Sequence, residues 1–240
     1  MQNIFTKMTP SLKYIAIRWP YSKHILKKYV MSNYSKPDLF KLCTSCLKDL
    51  NFRINHPLLR SLKDLSLMCN SNPTCNFYHD SHHFKSVVII SSIFAKILNL
   101  RGFDVLILII IALTHDLNHR GRRNLKKPCH QELASIRSLN YKIFKYFLNH
   151  NKWKRIERII LNTYFLKSRV ISSDIVEKII LDVDILVSMM FGQEWGILLS
   201  RRLKHEQKLE VNSKVLFKEF LNLAKERGLH LDVSKVACTI

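Results

Sequence analysis

Nine consecutive apolar residues, Val105 to Leu113, run directly into Thr114-His115-Asp116-Leu117-Asn118-His119. A membrane-spanning helix needs about 20 such residues, so this run is read as a helix buried on all sides of a protein core. Burying an imidazole and a carboxylate at its end is costly unless something compensates them. A divalent metal does so, because neutral imidazole and carboxylate are its common ligands. A hydrogen-bonded helix terminus facing solvent does so too, and this segment alone does not choose between them.

The rest of the chain can supply the core that such a helix needs. Its 240 residues suit one domain with small appendages, and 47% hydrophobic content argues against disorder. With 5 Gly and 6 Pro, a turn-rich all-β fold and a glycine-rich phosphate loop are excluded. Leu58, Leu59, Leu62, Leu65 and Met68 recur at helical spacing until Asn70-Ser-Asn-Pro73. Further helices are expected near 82–99, 103–116, 130–149, 152–167, 173–190 and 212–227. The fold class is all-α. A basic N-terminal segment (1–50), a helical domain (51–230) and a C-terminal tail (231–240) are the expected divisions.

The net charge is +21. Residues 120–169 carry 14 Lys/Arg against Glu132 and Glu157. Solvated basic helix faces account for this, and so does a field that attracts anions. Residues 1–50 interleave Tyr14, Ile15, Ile17, Trp19 and Tyr21 with Lys13, Arg18 and Lys23. Packing on the domain is expected there, because Ile15, Ile17 and Trp19 alternate without the wide polar face of an interfacial helix. The six cysteines are scattered; Cys43-Thr-Ser-Cys46 has no second pair to complete a zinc site, so free thiols are expected. No signal peptide or membrane span is evident, and a cytoplasmic location is the expectation.

Two further clusters accompany the His115-Asp116 pair. Tyr78-His79-Asp80-Ser81-His82-His83 sets His79 and His83 four apart, on one face if helical. Leu181-Asp182-Val183-Asp184-Ile185-Leu186 sets acids into another apolar helical stretch. His on one helix, His-Asp ending a second and Asp on a third can converge on a metal inside a bundle.

In this order the clusters resemble the HD superfamily of metal-dependent phosphohydrolases, and within it the catalytic domain of 3′,5′-cyclic nucleotide phosphodiesterases. Asn76-Phe-Tyr-His-Asp-Ser-His-His83 resembles that family's N-P-Y-H-N-x-x-H stretch. His115-Asp-Leu-Asn-His-Arg-Gly121, with Asn124, is similar to its H-D-x-D-H-x-G-x-x-N motif. Phe52-Arg-Ile-Asn-His-Pro-Leu-Leu-Arg60 resembles the segment before its first helix, Thr163 its L-A-T-D helix, and Asp184-Ile-Leu-Val-Ser188 its final Asp-Leu-Ser. The likeness covers about residues 52–190. The chain departs from the pattern at Asp80, Asn118 and Tyr164, lacks an E-x-H-H helix, and has a shortened interval from Asp116 to Asp184. Neither Gln193 nor Gln207 matches the context of the family's purine-reading glutamine.

The resemblance implies an HD-domain helical bundle around two divalent ions (Zn, Mg or Mn). It implies that His83, His115, Asp116 and Asp184 ligate the first ion, with Asp116 bridging to a second held largely by water. The ions then lower the pKa of a shared water, and the hydroxide attacks phosphorus in line. His79 is implied as the general acid for the leaving oxygen, and His119 as a hydrogen-bonding partner beside the second ion's water shell. Asp182 is the rival to Asp184. The implied substrate is a small phosphorylated molecule, a cyclic nucleotide first. The alternative is a degenerate HD domain that binds nucleotides or nucleic acid without turnover; nucleic acid is not the favoured partner.

Overall fold

A computed structural model describes residues 10–32, 35–71, 77–121, 128–139, 148–165 and 171–238. These form twelve α-helices: α1 Leu12–Ile17, α2 Lys23–Met31, α3 Leu39–Asp49, α4 His56–Asn70, α5 Ser81–Ile97 and α6 Phe103–Thr114. Then follow α7 His130–Ser138, α8 His150–Asn162, α9 Ile175–Met189, α10 Gln193–Gln207, α11 Ser213–Arg227 and α12 Asp232–Cys238. The fold is all-α. Among the described residues, no helix is long and apolar enough to cross a membrane.

The bundle is built around α5 and α6. The run from Val105 to Thr114 is buried throughout, as a helix apolar on every side must be. α5 lies against it and is itself buried from His83 to Ala95. α1, α3 and α9 pack on α5, while α4, α8 and α9 also reach α6. The junction of α5, α6 and α9 therefore brings together the three polar clusters read from the sequence. Asn76, Cys75, Asn124 and residues 140–147 of the expected 130–149 helix lie outside the described residues.

The expected divisions at residues 50 and 230 do not coincide with a break in the hydrophobic core. Leu12, Ile15, Leu26 and Val30 from the N-terminal part and Leu231, Val233 and Ala237 from the C-terminal part join the same core cluster. Trp19 packs edge-on against Phe94, and its indole N–H donates to the Val233 carbonyl (3.1 Å), so the two ends of the chain meet. Ile15 and Ile17 part company: two residues apart on a helix, Ile15 is buried and Ile17 is exposed. Helical phase, not strand-like alternation, governs the stretch.

The sequence reading placed no helix over 193–207. Trp195 and Leu199 in α10 are buried four residues apart, and Gly196 lies between them. A Cβ at Gly196 would stand 2.1 Å from the Phe217 ring. Glycine thus gives up about 1 kcal/mol of helix propensity against alanine and lets α11 approach closely. Cys43 and Cys46 both sit in the buried face of α3 as free thiols. Burial pushes both thiols up, Cys46 to about 12.

Lys85, buried in α5, fastens α2 to the bundle. Its Nζ donates to the carbonyls of Tyr29 (3.1 Å) and Ser32 (2.8 Å) at the end of that helix. Burial pushes the ammonium from its ordinary 10.5 down to about 8. Between those values the unfolded chain binds more protons than the folded one, so stability rises with pH across that window. From about pH 7.5 to about pH 9.5 the protein is expected to gain about 2 kcal/mol relative to its Lys85→Met variant. Denaturant unfolding at the two pH values checks this; parallel pH responses would show that Lys85 is not desolvated.

Part of the basic stretch is consumed internally. Arg155 pairs with Asp104 (2.6 Å) and Asp174 (2.6 Å), and Arg158 also reaches Asp174 (2.6 Å). These pairs tie α8 to the first turn of α6 and the N-cap of α9. The most basic part of 120–169, residues 122–127, lies outside the described residues, as do 140–147 and 166–170.

Candidate metal centre

Each ligand candidate is placed by a helix end or a buried helix face. Asp80 is the N-cap of α5: its Oδ1 accepts the backbone N–H groups of His82 and His83 (2.9 Å each), which sets His83 in the first turn. α6 stops at Thr114, with His115 as C-cap and Asp116 in the turn beyond. Asn118 adopts a left-handed φ of 59° that turns the chain back, a conformation asparagine tolerates better than most residues. Its amide donates to Ser138 Oγ (2.7 Å), so Asn118 does not sit among the ligand candidates. Asp184 projects from the middle of α9.

The four side chains converge. His83 Nε2 and His115 Nε2 are 3.3 Å apart. Asp116 Oδ2 is 3.2 Å from the first and 3.0 Å from the second. Asp184 Oδ1 is 3.6 Å from His115 Nε2 and 3.9 Å from His83 Nε2. Ligand atoms about 2.1 Å from one ion stand about 3.0 Å apart at right angles and about 3.4 Å apart at tetrahedral angles. The observed separations lie near those edges, so the set fits a single divalent ion. Two imidazoles and two carboxylates thus face one point, with both histidines buried. His115 Nδ1 is buried with no hydrogen-bond partner among the described residues; the ring is held by its Nε2 contacts and edge-on packing against Phe84. Burial would lower the His115 imidazole, but Asp116 and Asp184 overcome it and hold it well above its usual value. Asp116 is held correspondingly low against burial by His115 and His79.

Asp182 and Asp184 lie two residues apart and about 200° around the helix. Asp182 is fully buried, and its carboxylate accepts the backbone N–H groups of His230 (2.9 Å) and Leu231 (2.9 Å) and faces His230 Nδ1 (2.9 Å). It anchors the chain entering α12, whereas Asp184 faces the two histidines. Asp182→Ala is expected to cost about 3 kcal/mol or more of stability by stripping a buried, fully bonded carboxylate. Its ion affinity should stay within the roughly 100-fold range of outer-partner losses, while Asp184→Ala exceeds it. Calorimetric titration with Mn²⁺ and denaturant unfolding of both variants separate the roles. The reverse pattern would transfer the ligand role to Asp182.

A second cluster, His79, His119 and Glu206, adjoins the first. His79 precedes the N-cap of α5, so His79 and His83 do not share a helix face as the spacing suggested. What orients His79 is Glu206, a residue the sequence reading did not single out. Its Oε2 accepts the backbone N–H of Tyr78 (2.8 Å) and of His79 (3.0 Å), and its Oε1 faces His79 Nδ1 at 2.5 Å. His79 Nε2 is thereby turned toward Asp116 Oδ2 (3.8 Å). The phase of Trp195, Leu199 and Leu203 would have placed Glu206 on the buried face of α10.

The electrostatics follow from these contacts. Burial disfavours the His79 imidazolium, but Asp116 and Glu206 outweigh it and raise its pKa. Burial likewise opposes ionised Glu206, yet His79 and the two backbone N–H groups hold its carboxyl down to about 2. His119 stacks on His79 with ring centroids 3.7 Å apart, and its Nδ1 accepts the Gly121 N–H (3.1 Å). Burial and then the neighbouring His79 charge push His119 down to about 3, so it is a neutral ring with its proton away from Nδ1. Asp80, where the resemblance expected Asn, also receives Arg202 Nη2 (2.8 Å) and so ties α5 to α10.

Both clusters open into one cavity of about 410 Å³. His79, Asp116, His119 and Asp184 line it together with the apolar side chains of Phe165, Leu203, Leu216 and Phe220. Phe165 and Phe220 are stacked nearly parallel, 5.2 Å apart. The buried Arg227 guanidinium donates to the Asn162 carbonyl (2.6 Å) and so holds the end of α8, from which Thr163, Tyr164 and Phe165 enter the wall. Gln207 borders the cavity, whereas Gln193 is exposed at the start of α10. Comparison with protein-family models, with curated proteins and with solved structures finds no match to this chain.

Proposed function

We propose that the protein is a metal-dependent phosphodiester hydrolase acting on a small nucleotide-like substrate, with 3′,5′-cyclic nucleotides as the leading class. The observation that carries this reading is the convergence of His83, His115, Asp116 and Asp184 beside the Glu206-oriented His79, in one cavity. A divalent ion held by those four residues would supply Lewis acidity at phosphorus and a hydroxide near neutral pH. The chain's own groups do the rest. Asp116 and Glu206 favour the imidazolium form of His79, and Glu206 orients the ring so that its Nε2 is turned toward Asp116 at the cavity wall, where it can protonate a leaving alkoxide. Neutral His119 lies against that ring and offers a hydrogen bond without adding charge. Among the described residues that line the cavity there is no Lys or Arg. Of those described residues, His79 is the one that can offer a substrate phosphate a positive charge, beside the ion that the four ligand candidates would hold. The aromatic rings of Phe165 and Phe220, which line the same cavity, suit a planar ring.

The test is hydrolysis of cyclic AMP, cyclic GMP and an aryl phosphodiester by Mn²⁺-loaded protein. Turnover of a cyclic nucleotide supports the full reading. Turnover of the aryl ester alone keeps the hydrolase and rejects the cyclic substrates. Ion binding with no turnover of any of the three would overturn the hydrolase and leave a nucleotide-binding domain.

A further inference from the structure

The first 37 residues contain seven Lys/Arg and no acid. α1 and α2 both lie on α5 and commit one face each to the core: Leu12 and Ile15 from α1, Leu26 and Val30 from α2. The opposite faces are left outside. On α1 and the turn after it, Tyr14, Ile17, Arg18 and Tyr21 recur at three- and four-residue intervals, with Ile17 68% and Tyr21 76% exposed. On α2, His24, Lys27, Lys28 and Met31 are exposed at the same intervals. Arg18 stacks over the Tyr14 ring, its guanidinium carbon 4.1 Å from the centroid. Lys23, by contrast, is turned inward and donates to the Ala237 carbonyl (2.9 Å).

We propose that this outer face of α1 and α2 is a membrane-docking surface for a bilayer carrying anionic phospholipid headgroups. Two independent properties point to such a partner. Lys13, Arg18, Lys27 and Lys28 are exposed with no acid in either helix, and each cation near an anionic bilayer adds to its attraction. Exposed Ile17, Met31 and two tyrosines add apolar and interfacial aromatic side chains of the kind that settle at the boundary of headgroup and acyl chain. A nucleic-acid strand would use the cations but gains little from exposed Ile17 and Met31. The wide polar face missing from the alternation of Ile15, Ile17 and Trp19 is not required, because the buried half of α1 is already paid for by the core.

Sedimentation of the full chain with vesicles tests the proposal. Binding is expected to phosphatidylcholine vesicles containing about a third phosphatidylserine and not to phosphatidylcholine alone. Lys27→Glu/Lys28→Glu should weaken it by about tenfold or more. Ile17→Ser/Tyr21→Ser should weaken it by about five- to tenfold. Lys214→Glu/Lys218→Glu, the same charge change on exposed α11 positions, should stay within about twofold of the parent. All six positions are solvent-facing, and thermal unfolding of each variant verifies the fold. Loss of binding in the α11 variant equal to that in the α2 variant would overturn the assignment to this face. So would absence of phosphatidylserine-dependent binding, or a single-stranded RNA oligonucleotide that binds the parent and is lost by Lys27→Glu/Lys28→Glu while vesicles are ignored.

Discussion

His115→Ala/Asp116→Ala protein is expected to bind no divalent ion at the α5–α6–α9 junction and to lose all hydrolysis seen in the parent. The variant keeps His83 and Asp184, two donors whose closest atoms are 3.9 Å apart, and two donors do not hold an ion against water. Asp116 Oδ2 is the atom that lies closest to both imidazoles, so its removal opens the set on the side facing the cavity. Because ligands bind the folded chain and not the unfolded one, an ion at about 100 times its Kd should raise parent stability by about 2.7 kcal/mol. The variant should show no such rise. Chelation of the parent should reproduce the loss of turnover, and added Mn²⁺ should restore the parent alone. Equal thermal stabilisation of parent and variant by Mn²⁺ would place the ion elsewhere.

The second large effect is expected at Glu206. His79→Ala should lower kcat by about 10²–10⁴-fold, the usual value of a positioned general acid. Glu206→Gln retains the length of the side chain and an oxygen for the Tyr78 and His79 N–H groups, but removes one of the two charges, with Asp116, that raise the His79 pKa. Its alkaline limb should therefore move to lower pH, since the acid must be protonated and Glu206 extends that state upward. The linkage signs agree. Raised His79 contributes stability that is present below its ordinary value of 6.5 and is lost as pH climbs through the folded value. Lowered Glu206 contributes stability that is present above 4.5 and is lost as pH falls toward about 2. A Glu206→Gln protein with reduced stability and an unmoved pH–rate profile would make Glu206 a purely structural anchor.

Much of the helical architecture was legible because apolar spacing survives in local sequence. The segments read near 82–99, 103–116, 173–190 and 212–227 correspond to α5, α6, α9 and α11 within two residues at each end. α10 escaped because Gln193-Glu-Trp-Gly opens it with polar residues and a glycine, and its apolar stripe is thin. The N-terminal stretch looked like alternation only because three large residues happened to fall two apart; on a helix the middle one turns outward.

The order of histidines and aspartates along the chain picked out which groups could meet, and the apolar run before His115 put the His115-Asp116 pair at the end of a buried helix without deciding whether it faces a metal or solvent. Tertiary structure decided which of them do. Asp182 and Asp184 are equivalent in composition and neighbourhood, but helix phase sends one to the chain entering α12 and the other to the histidines. Glu206 reaches His79 across 127 residues of chain, and no spacing rule links positions so far apart. Helical periodicity says which way a side chain points on its own element. Only the approach of α10 to the residues just before α5 supplies the partner it points to.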